Sequence, residues 1–208
     1  MRRAAIFVML FLLIAGGAGA FEWASVAKKV QKSLVSLSTS QGVIYCSGFV
    51  IDDKRDFVMT AAHCVEAQQV LTYGLVVDRK NAWVVWQDDE ADLAVLHAPA
   101  NNRPELKMGK HPVPGQDVAA FGYGYGLKGL GMFRSGEVSG TDIEFPDEPE
   151  MVGLWVLYNF SFVGGMSGGP VTDVYGRMVG IVQRGNNAIG LGRSVRDIYS
   201  ATKDFWAE

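Results

Sequence analysis

Apolar and polar residues alternate along this chain with two different periods. From Trp23 to Lys32 (WASVAKKVQK) the apolar positions Trp23, Val26, Ala27 and Val30 recur at helical spacing, which predicts a short leading helix. From Ser33 the period shortens to two. SLVSLSTS, GVIYCSGFVID, DFVMTAA, LTYGLVVD, AWVVWQ and LAVLHA are rich in Val, Ile, Trp or Tyr and bounded by Asp, Gly or Asn, so each reads as a strand. GKHPVPGQD, residues 109–117, holds two prolines and two glycines and reads as a linker. A second run of strands follows it: VAAFGYG, GEVSGTDIEF, MVGLWVLYNF, GPVTDV, RMVGIVQR and IGLGRSV. In the last segment Val195, Ile198, Thr202 and Phe205 share one face of a predicted helix. The expected fold is all-β: two six-stranded antiparallel β-barrels, at about 33–111 and 115–195, with a terminal helix at about 196–206.

The first twenty residues follow a different rule. Arg2 and Arg3 precede an unbroken apolar run from Ala4 to Ile14, and Ala18-Gly19-Ala20 has the small-x-small form of a cleavage site. Residues 1–20 therefore read as a signal peptide, with an uncleaved anchor as the alternative. The run is short for a bilayer span of about 20 residues, which favours cleavage and an extracytoplasmic, periplasmic or secreted, mature chain. That chain, residues 21–208, has a formal charge of −5 and no basic footprint for nucleic acid. Its two cysteines, Cys46 and Cys64, enter an oxidising compartment, where pairing is favoured over two buried free thiols. Three histidines and no Cys-x-x-Cys argue against a zinc site.

Chemistry concentrates in FVGGMSGGPV, where Ser167 stands among four glycines. A serine in a glycine-rich turn is usually only a turn residue. As a nucleophile it needs a base, itself oriented by a third group. MTAAHCV presents His63 at the end of an apolar strand, next to Cys64, and Asp92 directly precedes the apolar run Leu93–Leu96. Gly165 to Gly169 also fits G-x-S-x-G, the nucleophile elbow of α/β-hydrolases. Those enzymes place their histidine after the serine, whereas His63, His97 and His111 all precede Ser167. The order Asp-His-Ser, open to Asp52, Asp53 or Asp56, would need a helix-rich core that this strand-rich pattern lacks.

TAAHC, DLAVL and GMSGGPV, in that order, resemble the three catalytic segments of chymotrypsin-like serine proteases. VAAFGYGYG with SGEVSG, and VAKKVQKSLVSL, are closer to the bacterial HtrA/Deg branch, without room for a PDZ domain after Ser167. The resemblance implies a serine endopeptidase acting on protein or peptide substrates through His63, Asp92 and Ser167. It implies an oxyanion hole of the Gly165 and Ser167 N–H groups, a Cys46–Cys64 disulfide, and no metal or cofactor. It also implies a specificity pocket of Ser161, Val182, Gln183, Arg184 and Gly185, with no acidic residue at its base. Met166 stands where trypsins carry the aspartate that pairs with a freed N-terminus, so that ion-pair switch is absent. The alternatives are a silent binding protein on the same fold and a serine esterase. Oligomeric state is not readable from the residues.

Overall fold

A computed structural model describes residues 18–70, 75–99, 102–127, 129, 131–148 and 151–207. The leader's residues 1–17 lie outside these. The expected cleavage point after Ala20 falls in the first turn of helix α1 (Ala18–Val30), which starts before the predicted Trp23.

The first sheet is built from β1 (Leu34–Ser38), β2 (Ile44–Asp52), β3 (Phe57–Thr60), β4 (Val76–Val77), β5 (Lys80–Asn81), β6 (Trp83–Asp88) and β7 (Leu93–His97). All its pairings are antiparallel, in the order β5-β4-β1-β2-β3-β7-β6. The sheet curls into the expected barrel-like half, with seven strands where six were expected and no pairing between β5 and β6. The cause is local. Asp78 and Arg79 both take positive φ, 47° and 70°, and turn the chain back after two residues. The result is a minimal hairpin whose edge does not pair with β6.

The second sheet matches expectation. β8 (Asp117–Gly122), β9 (Met132–Ile143), β10 (Trp155–Tyr158), β11 (Pro170–Asp173), β12 (Met178–Gly185) and β13 (Gly190–Ser194) close into a barrel, in the order β10-β13-β12-β11-β8-β9. Helix α3 (Val195–Thr202) follows, shorter than expected, with Ser194 and Asp197 forming a reciprocal cap at its start. A single 3-10 turn, Phe205–Ala207, completes the chain end.

One apolar cluster joins the two halves. Leu34, Phe49, Met59, Leu93 and Val95 of the first sheet pack with Phe121, Met178 and Ile181 of the second, and Val26 and Val30 of α1 seal its edge. Dense packing of this kind fixes the sheets against each other. Segments that leave the two sheets at their junction are thereby held at fixed separations.

Candidate active site

His63 is not at a strand end. It occupies the first turn of a helix, α2 (Ala62–Val70), that the apolar pattern did not reveal. Asp92 closes the turn between β6 and β7 at φ +53°, a left-handed conformation that costs a non-glycine residue about 1–2 kcal/mol. That turn aims its carboxylate at α2. Asp92 Oδ1 accepts the His63 backbone N–H at 2.9 Å, one of the donors a helix start leaves unpaired. The same carboxylate lies 3.0 and 2.9 Å from His63 Nδ1. A carboxylate only accepts, so the proton of this contact sits on Nδ1 and Nε2 is left with its lone pair. Asp92 is 14% exposed on its side chain and His63 43%, so the acid is sheltered while the imidazole reaches solvent.

Ser167 arrives from the second barrel, in the loop between β10 and β11. Its carbonyl accepts the Ser47 N–H at 2.9 Å. The Cys64 sulfur packs 3.7 Å from the same carbonyl. Cys46 and Cys64 form a disulfide, with Cα atoms 6.1 Å apart. The His63 ring nitrogen and the two sulfurs lie within 4.8 Å of one another, but sulfurs bound to each other offer no thiolate to a metal. His63 and Ser167 thus flank one disulfide. The Ser167 hydroxyl donates to the Gln183 carbonyl at 3.4 Å, and among the described residues no hydrogen bond joins it to His63.

The glycine turn around Ser167 uses its amides selectively. Met166 N–H donates to Val163 O at 3.0 Å, Gly168 N–H to Val182 O at 2.8 Å, and Gly169 N–H to Met166 O at 2.9 Å. The N–H groups of Gly165 and Ser167 donate to nothing among the described residues. Both carbonyls next to the first of these are tied down. Tyr125 N–H donates to Gly164 O at 2.6 Å, and Ser47 Oγ to Gly165 O at 2.6 Å. In a trans peptide the N–H points opposite the C=O, so the first contact turns the Gly165 N–H away from Tyr125. Gly165 has φ +92°, and a Cβ there would fall 2.5 Å from the Tyr123 carbonyl, so only glycine fits. Met166 is fully buried.

Ser47 is a residue that sequence reasoning missed. It is fully buried in β2, donates to Gly165 O, and accepts the Tyr123 N–H at 2.8 Å. A lone serine among the apolar residues of CSGFVI was the available signal.

The expected pocket residues divide. Val182 is buried, Ser161 half-buried and Arg184 exposed. Gln183 turns its side chain away from β12, and Nε2–H donates to the carbonyls of Ala91 and Asp92, both at 2.8 Å. The space beside Gly185 and Gly190 is taken by Phe162. A Cβ at Gly190 would meet that ring at 2.6 Å, and one at Gly185 would meet the Phe162 Cβ at 3.2 Å. The Phe162 ring packs 5.6 Å from both Tyr158 and Phe160.

Comparison with known proteins bears on the family and the fold. Residues 46–181 match the trypsin-like peptidase domain. A probable periplasmic serine endoprotease DegP-like from Halomonas elongata is 32% identical over 138 residues, 65% of this chain and 28% of that protein. The serine protease Rv3671c of Mycobacterium tuberculosis is 32% identical over 151 residues, 68% of this chain and 36% of that protein. The chain therefore spans about a third of the length of these relatives. In solved structures, the Rv3671c protease in an inactive form superposes with a TM-score of 0.72 at 23% identity, over 91% of this chain and 97% of that one. The HtrA-type protease AlgW with a decapeptide gives 0.76 at 17% identity, over 89% and 68%. With its two-sheet fold and a match that spans both sheets, the chain belongs to the trypsin-like peptidase domain family.

Proposed function

We propose that this chain is an extracytoplasmic serine endopeptidase that cleaves peptide bonds through an acyl-enzyme. The observation that carries the reading is the convergence of three features at one junction. A His63 imidazole is fixed on Asp92, Ser167 packs against the neighbouring disulfide, and two amide N–H groups beside it donate to nothing among the described residues.

The steps follow from the atoms. Ser167 Oγ leaves the Gln183 carbonyl and gives its proton to His63 Nε2 as it attacks the substrate carbonyl carbon. The oxygen of that carbonyl becomes an oxyanion and takes up the N–H groups of Gly165 and Ser167. Donors placed this way stabilise the transition state by about 3–4 kcal/mol each. Asp92 holds the Nδ1–H and stabilises the imidazolium without taking its proton. His63 then protonates the leaving amine, and the C–N bond breaks. Water, deprotonated by His63, attacks the ester, and Ser167 regains its proton. The route calls for no cofactor. Met166, buried in place of an acidic residue, leaves Ser47 and Tyr125 to hold the glycine turn.

Placement outside the cytoplasm is supported by the leader-like first twenty residues, the Cys46–Cys64 disulfide and the name of the Halomonas relative. No helix among the described residues is long and apolar enough to cross a membrane. The trypsin-like domain is assigned to residues 21–208, with residues 1–20 as leader. The bond from Ser167 Oγ to Gln183 O is the one feature favouring a silent binding protein. A fluorophosphonate probe with peptide mapping separates the readings. Covalent label on Ser167 supports the enzyme, and no label on well-folded chain contradicts it.

A further inference from the structure

Two side chains of the opposite barrel, Gln183 and Arg193, bond the backbone of the Asp92 turn. We infer that Arg193 and Gln183 are positioning residues that fasten the Asp92 turn so that its carboxylate meets His63. This rests on the catalytic reading above.

Arg193, on β13, is only 4% exposed, yet it carries a guanidinium. Its Nε–H donates to Ala91 O at 3.3 Å and Nη2–H to Glu90 O at 3.2 Å. Nη1–H donates to Leu154 O at 2.8 Å, and Nη2–H also reaches Val152 O. The guanidinium carbon stands 4.2 Å from the Trp155 ring centre, and a Cβ at Gly153 would fall 3.0 Å from Nη1. The fork is therefore held between an aromatic face and a glycine. Gln183, also buried at 3% exposure, donates to Ala91 O and Asp92 O. Three successive carbonyls, of Glu90, Ala91 and Asp92, are thus gripped by two side chains of the second barrel.

Geometry explains the need. Asp92 sits in a conformation that its side chain disfavours, and such residues persist only where their surroundings over-determine them. Within the first sheet the turn is closed by the Asp88–Leu93 strand pair, Gln87 Nε2–H to Asp89 Oδ1 at 2.5 Å, Ala91 N–H to Asp88 Oδ1 at 2.9 Å and Asp92 N–H to Asp89 O at 3.3 Å. A rigid planar fork can hold two separate segments at once, which a lysine point charge does not do. A buried cation is costly unless it is satisfied, and this one is satisfied by two carbonyls of the turn, Glu90 and Ala91, and two of its own barrel, Val152 and Leu154.

The test uses the full chain and the variants Arg193→Met, Arg193→Lys and Gln183→Met. It measures peptide turnover and the downfield proton resonance of His63 Nδ1–H. Loss of the grip is expected to lower kcat by about 10²-fold with KM within about twofold, as for other small misplacements of a catalytic group. The Nδ1–H resonance should move upfield or broaden in both Met variants. Arg193→Lys should recover under a tenth of the lost kcat. If Arg193→Met does not fold, Gln183→Met decides alone. Variants that melt lower but keep both the wild-type resonance and kcat would make the two residues mere packing and overturn the inference. The resonance reads the His63–Asp92 contact whether or not peptides are cleaved. A silent wild type with the expected resonance changes would thus refute the peptidase reading and leave the grip standing.

Discussion

Ser47 Oγ donates to the Gly165 carbonyl at 2.6 Å, joining the interior of the first sheet to the glycine turn of the second. The same oxygen accepts the Tyr123 N–H, so one hydroxyl holds two loops. Ser47→Ala should strand one buried donor and one buried acceptor, at a cost of about 1–3 kcal/mol in stability. Freed from its tie, the Gly165 peptide should lower kcat by 10-fold or more, with KM little changed. Denaturant melts and steady-state kinetics check both parts.

Gly165→Ala should act more severely and by another route. The added methyl meets the Tyr123 carbonyl and the φ of +92° is strained for alanine, so the turn must shift. With a donor displaced, kcat should fall by about 10²–10³-fold. Fluorophosphonate labelling of Ser167 should slow in step, since that reaction uses the same hole.

Phe162 is expected to set the size of the accepted side chain. Its ring fills the space beside Gly185 and Gly190, so cleavage should follow small residues. Phe162→Ala should raise kcat/KM for peptides with Leu or Phe before the scissile bond by at least about 10-fold. It should also cost about 3–5 kcal/mol, because the ring is buried against Tyr158 and Phe160. A peptide-library profile of the variant, read below its lowered melting temperature, tests this. An unchanged profile would place the selecting pocket elsewhere.

The disulfide should matter for stability. Cys46 and Cys64 close an 18-residue separation, for which chain entropy gives about 3 kcal/mol. The double variant Cys46→Ala/Cys64→Ala should lose about that much in denaturant melts. It should also lose activity, because the same link packs beside His63 and Ser167.

Part of this was legible in the residues and part was not. The strands carry strong period-two signals, and His63, Asp92 and Ser167 stand in motifs that local sequence displays. The helix under His63 went unseen because AHCVEAQQV has no clear apolar face. The seventh strand of the first sheet arises from two-residue ladders around Asp78 and Arg79, too short for any periodicity. Arg193 falls within the predicted strand IGLGRSV, where nothing local marks it. Only the fold shows that it grips carbonyls about a hundred residues away. The family resemblance implies a pocket wall for Gln183, but its side chain bonds the Asp92 turn. Such roles depend on what the second barrel meets across the junction, which no local pattern encodes.

The most direct measurement is peptide turnover by the wild-type chain and by Ser167→Ala, with thermal melting as the folding control. Alanine keeps the backbone N–H but cannot form the acyl-enzyme. Turnover should therefore fall to the residue supplied by binding and the oxyanion hole, at most about 10³–10⁴-fold above water. Equal turnover by both proteins, with equal melting, would contradict the assignment of Ser167 as nucleophile.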